Sequence, residues 1–164
     1  MKLYLIRHGI AQERELGIAD ENRELTPQGR EKTKKVASRL KELDIYFDII
    51  LTSSFTRALQ TASILLETGL GKSFEESAYL GFEGSINDWI EKWWQVKNLS
   101  PQTRLALVGH EPCLSEWAEI LLWGKTTSSL VLKKAGMIGI EVPNGVSPLG
   151  RCQMFWLTPP RLLI

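Results

Sequence analysis

The sequence predicts an α/β fold: a three-layer α/β/α sandwich around a mostly parallel central sheet with antiparallel edge strands. Three observations predict it. Short, wholly apolar runs, too short for helices, alternate with segments of helical period, which is the pattern of strands buried on both faces. The C-terminal third changes to strand-like runs parted by Gly, Pro and Asn turns. No stretch is rich enough in Pro, Gly or Ser to divide the chain, so residues 1–164 read as one domain.

The elements follow in order. Leu3 to Ile6 is the first buried strand. Residues 10–25 are polar and irregular, with Gly17, Asp20 and Asn22, and read as a loop. Thr26 and Pro27 open a helix, Thr as N-cap and Pro in its first turn. Its apolar face is Val36, Ala37, Leu40 and Leu43. Ile49 to Leu51 is the second strand, leading through Thr52-Ser53-Ser54 into a helix marked by Ala58, Ala62, Leu65 and Leu66. Ile86, Trp89, Ile90, Trp93 and Trp94 predict a helix with an aromatic stripe, read as packing. Leu105 to Val108 is the third strand. Pro112 begins a helix carrying Leu114, Trp117, Ala118, Leu121 and Leu122. Leu130–Leu132, Met137–Val142 and Cys152–Leu157 are expected to be strands.

Composition narrows the function classes. The chain has 164 residues, 43% hydrophobic and 24% charged, which is globular rather than disordered. Twenty Lys and Arg against 19 Asp and Glu leave a net charge of +1. No whole-molecule field for nucleic acid or an anionic membrane results, so an anion site must be local. Two cysteines, Cys113 and Cys152, are too few for a disulfide scaffold and fit a reducing cytosol. The apolar run after Met1 and Lys2 ends at Arg7, too short for a leader or a span. A cytoplasmic protein is expected. No paired metal-ligand spacing is present, and neither metal nor cofactor is expected.

Chemistry gathers at strand ends. The first strand ends in Arg7-His8-Gly9 and the third in Gly109-His110, while the second leads to Arg57 in its helix. Open α/β sheets bind ligands outside the carboxyl ends of their strands. If the three strands are parallel neighbours, both histidines of the chain and two arginines meet there. Guanidinium forks match phosphate oxygens, helix N-termini add positive charge, and a neutral imidazole is a competent nucleophile. A charged second imidazole can stabilise the equatorial oxygens of a transferring phosphoryl group. Gly9 and Gly109 allow close backbone approach.

The same residues carry a family resemblance. Leu5-Ile6-Arg7-His8-Gly9, Leu25-Thr26-Pro27-Gln28-Gly29, the run Ser53 to Thr61 (SSFTRALQT) and Val108-Gly109-His110-Glu111-Pro112 stand in order over residues 3–112. Together they resemble the histidine phosphatase superfamily, with its phosphoglycerate mutase-like fold, in the short SixA-like phosphohistidine phosphatase branch. The resemblance implies that His8 is the nucleophile and becomes a phosphohistidine. It implies that Arg7, Arg57 and His110 complete the phosphate pocket. It also implies a phosphorylated protein or small phosphorylated metabolite as partner. Two departures stand out. Ile10 occupies a position usually acidic, and the short Arg57–His110 interval lacks the insertion that supplies larger relatives with a lid and an acidic proton donor. Glu83 is the nearest candidate donor.

Simpler roles compete for the neighbouring residues. Thr26 and Ser53 suit a cap and a turn, Glu111 suits the first turn of its helix, and Cys113 suits a small buried residue. Lys32, Lys34 and Lys35 read as a solvated helix face. The alternatives to a protein phosphohistidine phosphatase are a small-molecule phosphomonoesterase, a mutase, a phosphoanion-binding module without turnover and a metallohydrolase. The paired histidines are expected to titrate together and give a bell-shaped pH profile.

Overall fold

The structure, a computed structural model, describes residues 1–164. Its centre is one six-stranded sheet of order β3-β2-β4-β1-β5-β6. The strands are β1 (Lys2–Arg7), β2 (Ile49–Thr52), β3 (Glu75–Glu76), β4 (Arg104–Gly109), β5 (Met137–Glu141) and β6 (Gln153–Thr158). β3, β2, β4 and β1 run parallel. β5 is antiparallel to β1, and β6 to β5. This is the expected mixed sheet.

Successive residues of a strand point to opposite faces, and here each face has its own helices. Leu3, Leu5, Leu105 and Leu107 join a core with Leu114, Trp117 and Leu121 of α5 (Cys113–Trp123) and with Ile86 and Trp89 of α3 (Ile86–Trp89). Tyr4, Ile6, Ala106 and Val108 face Val36, Ala37 and Leu40 of α1 (Pro27–Glu42) and Ala58, Ala62 and Leu65 of α2 (Thr56–Glu67). The interiors of the central strands are therefore apolar because both faces are covered. Burying one such leucine contributes about 1.5–3 kcal/mol. Thr26 caps α1 as predicted, its Oγ1 accepting the Gly29 N–H at 3.0 Å.

Several expectations need correction. Leu130–Leu132 forms no strand: Leu132 is buried, but Val131 is 63% exposed and the segment has no ladder. Its backbone serves the side chains of Glu119 and Arg7 instead. The predicted aromatic helix does form, but α3 passes through a π-turn (Ile90–Trp94) into α4 (Gln95–Lys97). Trp89 is buried and stacks on Trp93 at 5.6 Å. Leu43 is exposed, because α1 has ended by then.

Candidate active site

The parallel register aligns the carboxyl ends of the three central strands. Arg7 lies opposite Gly109, and Thr52 opposite Val108. The chain leaves the sheet there in three adjacent places, as His8-Gly9, Ser53-Ser54 and His110. Arg57 follows in the first turn of α2. Arg7, His8, Arg57 and His110, from three remote stretches of the chain, thus share one sheet edge.

His8 is 6% exposed. Its Nδ1 lies 2.7 Å from the Gly9 carbonyl oxygen, which can only accept, so Nδ1 carries the proton. Nε2 keeps its lone pair and accepts the Arg57 Nε–H at 3.2 Å. Burial pushes the pKa of His8 down to about 3, the Gly9 carbonyl opposes this, and His110, Arg57 and Arg7 push the same way as burial. The imidazole is neutral at pH 7.

His110 is 1% exposed, with its ring centroid 5.1 Å from that of His8. Its Nε2 is 2.8 Å from Ser53 Oγ, and the same oxygen accepts the Phe55 N–H. Ser53 therefore shapes its turn and touches the second histidine at once. Nδ1 of His110 is buried without a partner in the protein, and so is Nε of Arg7. Such atoms cost free energy unless something is placed against them; an oxyanion suits the Arg7 N–H, and suits His110 Nδ1 when that nitrogen carries a proton. Burial first, and then the Arg57 charge, hold the His110 pKa down at about 4. A bound phosphoryl dianion would reverse that electrostatic balance.

The arginines are held by groups that no pattern in the sequence marks. Arg57 is 1% exposed and donates from Nη1 to the Asp20 carbonyl at 2.6 Å and from Nη2 to Asp20 Oδ2 at 3.0 Å. Asp20 also holds Arg14 and Arg23. Partial burial opposes ionisation of Asp20, but its hydrogen bond to Arg57 and the other guanidiniums keep its pKa below the ordinary value. Arg7 donates from Nη1 to the Leu132 carbonyl at 2.8 Å. Phe82 and Phe55 each lie 5.0 Å from the His110 ring, and Phe55 is 5.0 Å from the Arg57 guanidinium. The two rings form an aromatic wall along one side of the pocket.

The loops are pinned by α1 and α2. Thr61 Oγ1 accepts the Gly9 N–H at 3.0 Å, and Gln60 Oε1 accepts the Leu25 N–H at 2.7 Å. Both stand in the run Ser53 to Thr61 that carries the resemblance. Gly9 meets α1 rather than a ligand: a Cβ there would collide with Thr33 Oγ1. A Cβ on Gly29 would collide with the backbone carbonyl of Ile10. Glu111 lies just before α5 rather than in its first turn, and its carboxylate accepts the Ser115 N–H and O–H. Cys113 is only partly buried; burial raises its thiol pKa, so it is no activated thiolate. Glu83 is exposed and makes no hydrogen bond or ion pair, although its neighbour Phe82 lies on His110. Asp20 has no periodicity or strand end to mark it, since its role comes from a contact between a loop and α2.

Residues 3–113 match the histidine phosphatase superfamily (branch 1). An uncharacterized protein of Picosynechococcus sp. (strain ATCC 27264 / PCC 7002 / PR-6) is 42% identical over 170 residues, covering 100% of this chain and 99% of that one. Among solved structures, the protein histidine phosphatase SixA complexed with tungstate superposes with a TM-score of 0.84, at 21% identity and full coverage of both chains. A mutant phosphoserine phosphatase from Entamoeba histolytica, in complex with phosphoserine, gives 0.69 at 18% identity, covering 99% of each chain.

Proposed function

The chain belongs to the histidine phosphatase superfamily, and from that premise we propose that this phosphatase works through a covalent phosphohistidine on His8 and acts on phosphohistidine in proteins. One observation carries the reading: Nδ1 of His8 is tied to the Gly9 carbonyl at 2.7 Å while its Nε2 lone pair faces the Arg57 guanidinium. That tautomer leaves the Nε2 lone pair to attack phosphorus once the Arg57 N–H passes from it to a phosphoryl oxygen. The Nε2–P bond forms as the bond to the leaving group breaks. Arg7, Arg57 and His110 take the charge of the phosphoryl oxygens. Water then attacks phosphorus, the Nε2–P bond breaks, and inorganic phosphate leaves. The proton kept on Nδ1 throughout makes His8 a better leaving group in this second step.

The choice of substrate rests on what surrounds the nucleophile. The one carboxyl bonded to the site arginines is Asp20, ionised and engaged by three guanidiniums. It is a poor proton donor. Glu83 is exposed and unattached to the site. General-acid help is typically worth about 10²–10⁴-fold, and alcohol leaving groups need it most. A phosphorylated imidazole, protonated on its ring, needs it least. Two free cysteines, one of them exposed in part, suit a reducing cytoplasm as the place of action. The test is a substrate panel of phosphohistidine peptide, phosphoserine and a sugar phosphate, run with wild type and His8→Ala. The expected result is preference for the phosphohistidine peptide and loss of turnover in the variant. A variant within tenfold of wild type refutes the covalent role, and faster cleavage of the esters refutes the substrate.

A further inference from the structure

A groove of about 690 Å³ opens directly beside the phosphoryl pocket, with Arg7 as the wall common to both. Its charged lining is Arg7, Lys32, Lys133, Lys134 and Arg161, with no acidic residue among its ten lining residues. The whole chain has a net charge of +1, so this is a strong local concentration of one sign. Lys32, Lys133, Lys134 and Arg161 make no ion pair with any carboxylate, while six other pairs do form on this molecule. Lys32 is half-buried against the groove, unlike the solvated helix face that the sequence suggests for it.

The groove is held firmly to the catalytic strand. Arg7 Nη1 donates to the Leu132 carbonyl, and the Ala135 N–H reaches the carbonyls of Arg7 and His8 at 3.1 Å. Lys133 and Lys134 lie between these anchors. Upstream, buried Glu119 accepts the backbone N–H groups of Thr127, Ser128, Ser129 and Leu130. Burial opposes its ionisation, yet these four donors bring its pKa down to about 2. The walls also include Val131, 63% exposed, and Leu157, 40% exposed.

We propose that this groove receives an acidic stretch of the substrate polypeptide, lying beside the phosphorylated side chain. Charge complementarity selects carboxylates, and the exposed apolar walls suit a chain with apolar side chains between them. The proposal rests on the phosphatase reading for its orientation, since Arg7 then spans both the transferred group and its flank. A surface ion pair is worth about a factor of two, so four cations together give a preference of roughly tenfold.

Two measurements test it separately from the activity itself. Unphosphorylated peptides rich in glutamate, or in glutamine at the same positions, are bound to the protein at low salt and followed by fluorescence anisotropy. The expected result is about tenfold tighter binding of the glutamate peptide. The Lys133→Gln/Lys134→Gln/Arg161→Gln variant should cut that preference to about twofold, the share left to Lys32, while its turnover of free phosphoramidate stays within about twofold of wild type. Equal binding of the two peptides by wild type, a preference undiminished in the variant, or pyrophosphate binding as tight as the peptide overturns the proposal. Absence of phosphoramidate turnover would instead count against the phosphatase reading and leave the binding result to judge the groove.

Discussion

The neutral state of His8 can be tested through stability. Its folded-state pKa is about 3 against an ordinary 6.5, with burial as the main cause. The unfolded chain therefore takes up a proton at this site over a pH range in which the native protein does not. The associated stability is complete above pH 6.5 and is lost progressively as pH falls toward 3. Each pH step below 6.5 costs about 1.4 kcal/mol, so His8 alone costs about 2–3 kcal/mol between pH 7 and pH 4.5. His110, held at about 4, adds a loss of similar size. The perturbation is His8→Asn, which cannot titrate and keeps an N–H for the Gly9 carbonyl. Urea unfolding of both proteins at about pH 7 and pH 4.5 gives the comparison, because every other titrating group is shared. The wild type should lose about 2–3 kcal/mol more than the variant over that interval. Equal losses would mean that His8 titrates near its ordinary 6.5 in the folded protein, and the strong depression of its pKa by burial would have to be abandoned.

Further outcomes follow from the contacts around the pocket. The acid limb of the free enzyme's pH profile should lie near pH 3–4 rather than near 6.5, since both histidines are neutral above that range; kcat/KM against pH, taken down to the acid-unfolding limit, checks this. Asp20→Asn removes the charged anchor of the Arg57 fork, and kcat should fall by roughly tenfold; unchanged kcat would show that Arg57 is oriented without it. Gly29→Ala places a methyl group against the Ile10 carbonyl, and denaturant unfolding should show a loss of about 1–3 kcal/mol.

The sequence is most legible where burial is two-sided. Leu3–Ile6, Ile49–Leu51 and Leu105–Val108 are apolar at every position because helices cover both faces of those strands, and that same arrangement places Arg7, His8 and His110 at one edge. β3 leaves no trace, being two exposed glutamates at the sheet margin. Leu130–Leu132 resembles a strand because it is apolar, yet Leu130 and Leu132 pack while the backbone N–H of Leu130 goes to Glu119 and the carbonyl of Leu132 to Arg7. Asp20 is hidden for a different reason: no local pattern announces that its carboxylate will join its near neighbours Arg14 and Arg23 to the distant Arg57. The expected bell-shaped pH profile assumes histidines near their ordinary pKa, and burial at the sheet edge lowers both of them.

The covalent step is open to direct capture. Wild-type protein mixed with radiolabelled phosphohistidine peptide and quenched in alkali within one turnover should carry label that survives base, is released by acid and maps to the peptide containing His8. Turnover at full rate with no label on His8, or acid-stable label on another residue, would contradict the account.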